Sequence, residues 1–275
     1  MYEVIEAVEY VPKPNDIGTS KWVLIKAENG ITYQIKFNEE AVNHNTYEFI
    51  GNFIGKSIEV PVSNGIFLQI PEFLLTKCEE DLNFTIDRSK VIANIFFGIE
   101  WIYGQVQFND IELLLEELQN TMNYEEFPSI FPYDQYLRNY DRHIDNHLII
   151  KTDKKQQFYY SIDSDKIFGG FPITDILVEK EVFDCFGNPA YKPLYDSIND
   201  KIFKIILIYS NKIEALKERE LNMLDEYLSD FYGINLDVRN NIKEFLNFRK
   251  TNFSEQCISN QSCYENIHRP ILIGG

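Results

Sequence analysis

Cysteine, methionine and tryptophan are scarce in this chain of 275 residues, at 4, 3 and 2 copies, and histidine also numbers only 4. The cysteines, Cys78, Cys185, Cys257 and Cys263, stand far apart with no C-x-x-C pair. Neither zinc-ligand spacing nor a disulfide framework is indicated, and free thiols in a reducing compartment are expected. Positive charge is in deficit: 26 Lys and Arg face 43 Asp and Glu, a formal net charge of −17. That balance opposes general attraction to nucleic acid or to an anionic membrane, both of which carry the same sign. No apolar run approaches the roughly 18 residues that a spanning helix needs. The opening residues Met1–Val11 alternate with acids and lack the basic flank of a secretion signal, so the expected address is the cytoplasm. No internal repeat and no low-complexity linker is visible.

What is present is the composition of a folded protein, 44% hydrophobic and 15% aromatic. Its 17 Tyr and 21 Phe are accounted for by core packing, since no basic residues interleave with them as base-stacking surfaces require. The length allows one large domain or two modest ones. The front of the chain reads as strand-rich. Residues 2–9 alternate with period two, and strands are expected at Trp22–Ala27 and Ile31–Phe37, joined at Asn29-Gly30 by a type I′ hairpin turn. From Glu39 to about Lys56 the large apolar residues Val42, Phe49, Ile50, Phe53 and Ile54 take helical spacing, with Gly55 near its end. Short apolar runs at Ile58–Val62 and Ile66–Ile70 around Ser63-Asn64-Gly65 suggest another hairpin, and Asn94–Tyr103 another strand. Beyond Gly104 the pattern becomes helical, at Ile111–Met122, 198–230 and 238–250. The fold class expected is α+β with two lobes: a β-rich nucleotide-binding part at 1–103 and a mainly helical catalytic part at 104–275.

Chemically capable residues concentrate in Asn139-Tyr140-Asp141-Arg142-His143-Ile144-Asp145-Asn146. The strand-like segments 147–151 and 158–162 flank a turn at 152–156. Pairing 147 with 162 would put Asn146 opposite Asp163, about 5 Å away. An amide oxygen and a carboxylate suffice for Mg²⁺, which keeps several waters and takes further ligands from substrate phosphates. Asp141, five residues before Asn146, is then free to meet a substrate hydroxyl. Asp followed five residues later by Asn, with a second Asp beyond a hairpin, is the arrangement of protein-kinase-type phosphoryl transfer. Asp and Asn also recur in loops for turn geometry alone, so the motif gains weight only from its company.

That company begins with Lys36, on the strand after the first hairpin and between Ile35 and Phe37. A lysine there either points to water or, if buried, needs a carboxylate or phosphate. Glu48 on the following helix is the candidate partner; Glu39 and Glu40 compete, although acids at a helix start are explained by the macrodipole. The turn Asn15-Asp16-Ile17-Gly18-Thr19-Ser20 offers one glycine and two hydroxyls to phosphates, and could also be a plain turn. Autophosphorylation at Thr19 or Ser20 would displace such a turn by charge repulsion. Ile99–Gly104, with Trp101 and Tyr103, resembles a kinase hinge, a likeness that implies adenine binding by its backbone groups. A rival reading takes His143 and His147, four residues apart, as zinc ligands on a helix. Ile144 occupies the place of the glutamate in H-E-x-x-H, and the sequence after 146 reads as strand.

The order of glycine-hydroxyl turn, YQIKF lysine strand, helix with NTYEF, then NYDRHIDNHLII and YYSIDSD resembles the HipA-like kinases, in their compact stand-alone branch, over roughly residues 10–170. The resemblance implies a two-lobed protein-kinase-like fold and ATP- and Mg²⁺-dependent phosphorylation of serine or threonine on an unknown protein substrate. It assigns the ATP phosphates to Lys36, the catalytic base to Asp141 and Mg²⁺ to Asn146 and Asp163, and it allows an antitoxin-type partner. The DRH run followed by Asn also resembles the catalytic loop of phosphatidylinositol 3- and 4-kinases, so a lipid acceptor is an alternative. An ATP-binding pseudokinase or interaction module is another.

Overall fold

A computed structural model of the chain describes residues 2–13, 21–37, 43–102, 108, 110–139, 141–152, 154–176, 201–251 and 253–255. Five strands close into a barrel in the order β1-β2-β3-β5-β4. They are β1 (Val4–Val11), β2 (Trp22–Ala27), β3 (Thr32–Lys36), β4 (Gly65–Gln69) and β5 (Ile95–Glu100). All neighbours are antiparallel except β4 and β1, which run parallel with Val4 against Phe67 and Glu6 against Gln69. The expected strands at 22–27 and 31–37 are therefore present, trimmed by a residue at each end of the second.

The turn between them differs from expectation. Ala27 and Ile31 exchange a backbone bond of 2.9 Å around Glu28, Asn29 and Gly30, and only Gly30 takes positive φ, at 79°. This is a three-residue connection ending in a left-handed glycine instead of a two-residue type I′ turn. The Asn29 side chain finishes it by accepting from Ile31 N–H at 3.0 Å.

The hairpin expected from Ile58–Val62 and Ile66–Ile70 does not form. Ile58 ends the preceding helix by donating to Ile54 O, Glu59 is left-handed at φ 61°, and Pro61 has no N–H to give to a ladder. Val62 makes only an isolated bridge to Ser161. β4 finds its partners in β5 and β1 instead.

The helix that follows β3 is α1 (His44–Ser57), and its whole length from His44 to Gly55 is buried. Two helices escaped the sequence reading. α2 (Glu72–Leu82) covers the barrel with Leu74, Leu75, Cys78 and Leu82. α4 (Ile130–Leu137) follows α3 (Ile111–Gln119) and is buried on every side. A helix buried all round shows no polar stripe, so its periodicity is silent. The β6–β7 hairpin (His147–Lys151, Gln157–Ser161) comes next. The helical stretch expected at 198–230 holds two helices, α5 (Lys201–Glu214) and α6 (Glu218–Asp230), before α7 (Leu236–Lys250).

The last helices return to the barrel. Tyr227 on α6 and Phe231 just past its end pack on Phe67, with ring centroids 6.0 and 4.2 Å away, and Tyr232 lies 5.9 Å from Phe49 on α1. The aromatic wealth of the sequence thus sits in one core that joins sheet and helices. No described helix is long and apolar enough to cross a membrane, and Cys78 is a buried free thiol.

Candidate functional site

Alternation along β3 sends Tyr33 and Ile35 into the barrel core, and Gln34 and Lys36 to the opposite side, where they face β5, α1 and the segment after β7. The Lys36 ammonium is buried there among three carboxylates: Asp163 Oδ1 at 2.7 Å, Glu48 Oε1 at 2.9 Å and Asp165 Oδ2 at 3.1 Å. Glu48 comes from the second turn of α1. The acids at 39 and 40, its competitors in sequence, lie outside the described residues, as do Gly18, Thr19, Ser20 and Tyr103.

The β6–β7 register is one residue off the expected pairing. Thr152 and Gln156 close the loop, Lys155 is left-handed at φ 60°, and His147 consequently faces Ser161, not residue 162. Asn146 is opposite Ile162, whose N–H donates to Asn146 O at 3.0 Å. Asp163 then leaves the ladder in the left-handed region at φ 67°, a conformation that Asp tolerates better than most residues. This departure carries its carboxylate to Lys36. The expected cross-strand opposition of Asn146 and Asp163 does not form; Asp163 meets Lys36 through a turn after the strand.

Asp141 and Asn146 are tied directly: Asn146 Nδ2 donates to the Asp141 carbonyl at 2.8 Å, and Asp141 N–H donates to Asn139 Oδ1 at 3.3 Å. With its amide nitrogen so engaged, Asn146 presents its oxygen elsewhere, while the Asp141 side chain is exposed. A continuous path of contacts therefore runs from Asp141 through Asn146 and Ile162 to Asp163, Lys36 and Glu48.

The element that fixes this loop is Arg142, fully buried although it is an arginine. Its Nε and Nη2 donate to the two oxygens of Asp134 on α4, at 2.9 and 2.8 Å, and Nη1 donates to the Ile162 carbonyl. One side chain thus joins α4, the 139–146 loop and the end of β7. Asn139 Nδ2 also reaches Asp134 Oδ1, at 3.2 Å. Arg142 and Asp134 were not singled out in the sequence. The arginine's place inside the polar run was the available signal; its buried partner on an unforeseen helix had none.

Burial dominates the titration of the cluster. Desolvation pushes Glu48 up to about 7, with the nearby Lys36 charge pulling the other way and Asp163 and Asp165 adding to the rise. Asp163 is raised as well, again by burial first. Lys36 is shifted up: burial would lower it, but Glu48, Asp163 and Asp165 outweigh that. Asp165 goes far below the ordinary carboxylate range, because contact with His44 and the charge of Lys36 overcome its desolvation. Three carboxylates against one ammonium leave an excess of negative charge in a mostly buried place, and buried charge calls for pairing or for a metal. Oxygen donors of this kind suit a hard divalent cation. All three acids lie within reach of a single ion, but Lys36 Nζ occupies their centre. Only Asp163, with 27% of its side chain exposed against 6% for Glu48 and 3% for Asp165, is open to such an ion from the cleft.

The remaining expectations separate. Trp101 stacks on Trp22 with ring centroids 5.6 Å apart, and its backbone N–H is taken by Thr32 O at 2.8 Å, so that N–H is not available to a base. His143 is exposed beside Asp145, whereas His147 begins β6, buried, with Nδ1 2.9 Å from Tyr159 Oη. Burial first, and the charge of Arg142 after it, hold His147 well below its ordinary value. No helix carries the two histidines together, so the zinc arrangement is not built. Asp165 and His44 belong to the Lys36 cluster and were not among the site residues expected from the sequence. Asp165 stood in the YYSIDSD string itself, and His44 is four residues before Glu48 on the same helix face.

No known protein family matches the sequence, and no curated protein matches it. Among solved structures, the chain is similar to the crystal structure of a Helicobacter pylori proinflammatory kinase, CtkA. The TM-score is 0.55 and the identity 14%, over 98% of this chain and 100% of that one. At that identity the likeness is one of fold: an N-terminal sheet, here a closed barrel, followed by a mainly helical part, in the arrangement of a kinase.

Proposed function

We propose that the protein is an ATP- and Mg²⁺-dependent phosphotransferase of the HipA-like kind, which passes the γ-phosphoryl group to a serine or threonine hydroxyl. Residues 1–103 would form the nucleotide-binding lobe and 104–275 the catalytic and helical lobe. The observation that carries the reading is the buried Lys36 ammonium shared by Glu48 of α1 and Asp163 of the segment after β7. Three carboxylates from two separate elements surround one ammonium at the edge of a cleft, an excess of buried negative charge that a bound cation would offset.

In this reading Lys36 contacts the ATP phosphates, and Glu48 holds it at the correct height. Asn146 and Asp163 would hold Mg²⁺, which neutralises phosphate charge when bound. Asp141, exposed at the mouth of the loop, accepts the proton of the acceptor hydroxyl. The hydroxyl oxygen bonds to the γ-phosphorus as the bond to the β-phosphate oxygen breaks, and ADP leaves. Most of the rate enhancement is positioning and fixed electrostatics. Arg142 holds the loop that bears Asp141 and the chain end that bears Asp163 in one register.

The test is incubation with γ-labelled ATP, Mg²⁺ and a cell lysate, comparing the parent with Asp141→Ala and Asp163→Asn. Label transfer by the parent and its loss in both variants is expected; transfer at the parental rate in either variant removes that residue from the mechanism. A second reading, an interaction module of kinase-like fold without phosphoryl transfer, is favoured by the size of the cleft. The cavity bounded by Lys36, Glu48, Phe97, Ile99 and Asp163 is about 50 Å³, where small-molecule pockets usually run to several hundred. No label on protein, lipid or small molecule, together with no measurable nucleotide binding, would select it.

A further inference from the structure

An ammonium has three N–H donors, and in this structure three carboxylates lie within 3.1 Å of it, Glu48, Asp163 and Asp165, the contact with Asp165 being a hydrogen bond. The three are not equivalent. Asp163 is partly exposed and lines the cleft with Gln34, Phe97 and Ile162. Glu48 also borders the cleft, although only 6% of its side chain is exposed, and Asp165 is buried and does not line it. Asp165 Oδ2 is also 3.2 Å from His44 Nδ1, the first residue of α1, and its backbone N–H points to Asp163 Oδ1 at 3.4 Å. His44 and Glu48 are four residues apart and share a face of α1. The helix consequently grips Lys36 twice, once directly through Glu48 and once through His44 and Asp165. The backbone N–H of Ser164 adds a third tie between the same elements, donating to Glu48 Oε1 at 3.2 Å.

We propose that Asp165 is a positioning residue for Lys36: with His44 behind it, it is the second fixed anion that keeps the ammonium in place when Asp163 turns away to a cation in the cleft. This deepens the phosphotransferase reading and rests on it for the purpose of the exchange, although the hold on Lys36 is measurable without turnover. Without Asp165, withdrawal of Asp163 would leave the lysine on Glu48 alone, free to swing about that single contact. With it, two fixed acceptors flank the ammonium, and the third donor is released toward the cleft, where phosphate oxygens would arrive. Asp165 itself touches no substrate in this scheme.

The experiment measures the rate at which the Lys36 amine is modified by a small amine-acylating reagent, read by mass spectrometry of the peptide carrying residue 36. It compares the full-length parent with Asp163→Asn, Asp165→Asn, the double variant, and Asp165→Glu in the Asp163→Asn background. Circular dichroism and the melting temperature verify that each is folded. Asp163→Asn alone should leave the rate within about twofold of the parent, because Glu48 and Asp165 still hold the amine. The double variant should react at least tenfold faster, and Asp165→Glu should restore most of the protection, which a merely structural role would not do. If Asp163→Asn by itself reaches the rate of the double variant, or if the double variant stays slow, the positioning role is overturned. Should the double variant fail to fold, His44→Gln in the Asp163→Asn background replaces it: a rise of several-fold supports the role and an unchanged rate overturns it. Protection of Lys36 in the parent by ATP with Mg²⁺ is scored separately. Its absence counts against the nucleotide reading and leaves the comparison among variants intact.

Discussion

Removing the Asp134 carboxylate should unfold more of this protein than any single change in the Lys36 cluster. In Asp134→Ala, Arg142 keeps its charge in a place with no solvent exposure and loses two donors' worth of partner at 2.9 and 2.8 Å. Breaking a buried pair from one side typically costs about 3–5 kcal/mol, since the remaining charge is stranded. The 3.2 Å bond from Asn139 Nδ2 is lost as well. A value of about 4 kcal/mol is close to a thousandfold in the folding constant and a large share of the roughly 5–15 kcal/mol that a domain has. Urea titration followed by the fluorescence of Trp22 and Trp101 reads it as a lower midpoint at an unchanged slope. The double variant Asp134→Ala with Arg142→Met strands no charge and should be more stable than Asp134→Ala alone. A loss below about 1 kcal/mol for Asp134→Ala, or a double variant that costs the sum of the two singles, would refute the view that this pair locks the loop.

Further outcomes concern the cluster itself. Glu48 is raised to about 7, so between about pH 4.5 and 7 the folded chain binds a proton that the unfolded chain releases. In metal-free buffer its contribution to stability should therefore fall as pH rises through that window, by roughly 3 kcal/mol, and Glu48→Gln should flatten the profile measured by denaturant midpoints. Asp165, depressed by His44 and Lys36, acts in the opposite sense: its contribution is present above about pH 4 and is lost as pH falls below. Lys36→Met should abolish label transfer from ATP and destabilise the fold more at pH 8 than at pH 6, because the three acids then lack their cation; equal losses at both pH values would contradict the ion-pair account. Gly51→Ala would drive a methyl group into Ser164, with Tyr133 Oη also crowding it. This should cost about 1–3 kcal/mol and raise the KM for ATP by separating α1 from the 163–165 segment. Parental stability and KM together would show that α1 is not packed there as described.

Period-two alternation around Trp22–Ala27 and Tyr33–Phe37, and helical spacing through Phe49, Ile50 and Phe53, specify local elements, because burial of alternate or one-sided residues is decided by near neighbours. The same local signals made Lys36 conspicuous and set Asp141 five residues before Asn146. Where backbone chemistry intervened, periodicity misled: Ile58–Val62 has the composition of a strand, but a left-handed Glu59 and Pro61 deny it a ladder. The register of the 147–161 hairpin likewise depended on how Thr152 and Gln156 close their loop, and a shift of one residue changes every facing pair. Glu48 was legible in the sequence as a partner of Lys36; only the tertiary structure added Asp163 and Asp165, out of 43 acids, as neighbours of that lysine, and joined Arg142 to a carboxylate on a helix with no visible stripe. Such choices are made by tertiary packing and by the cost of burying charge, which pair residues as close as Asp134 and Arg142 and as distant as Lys36 and Asp165, and leave no periodic trace in the chain.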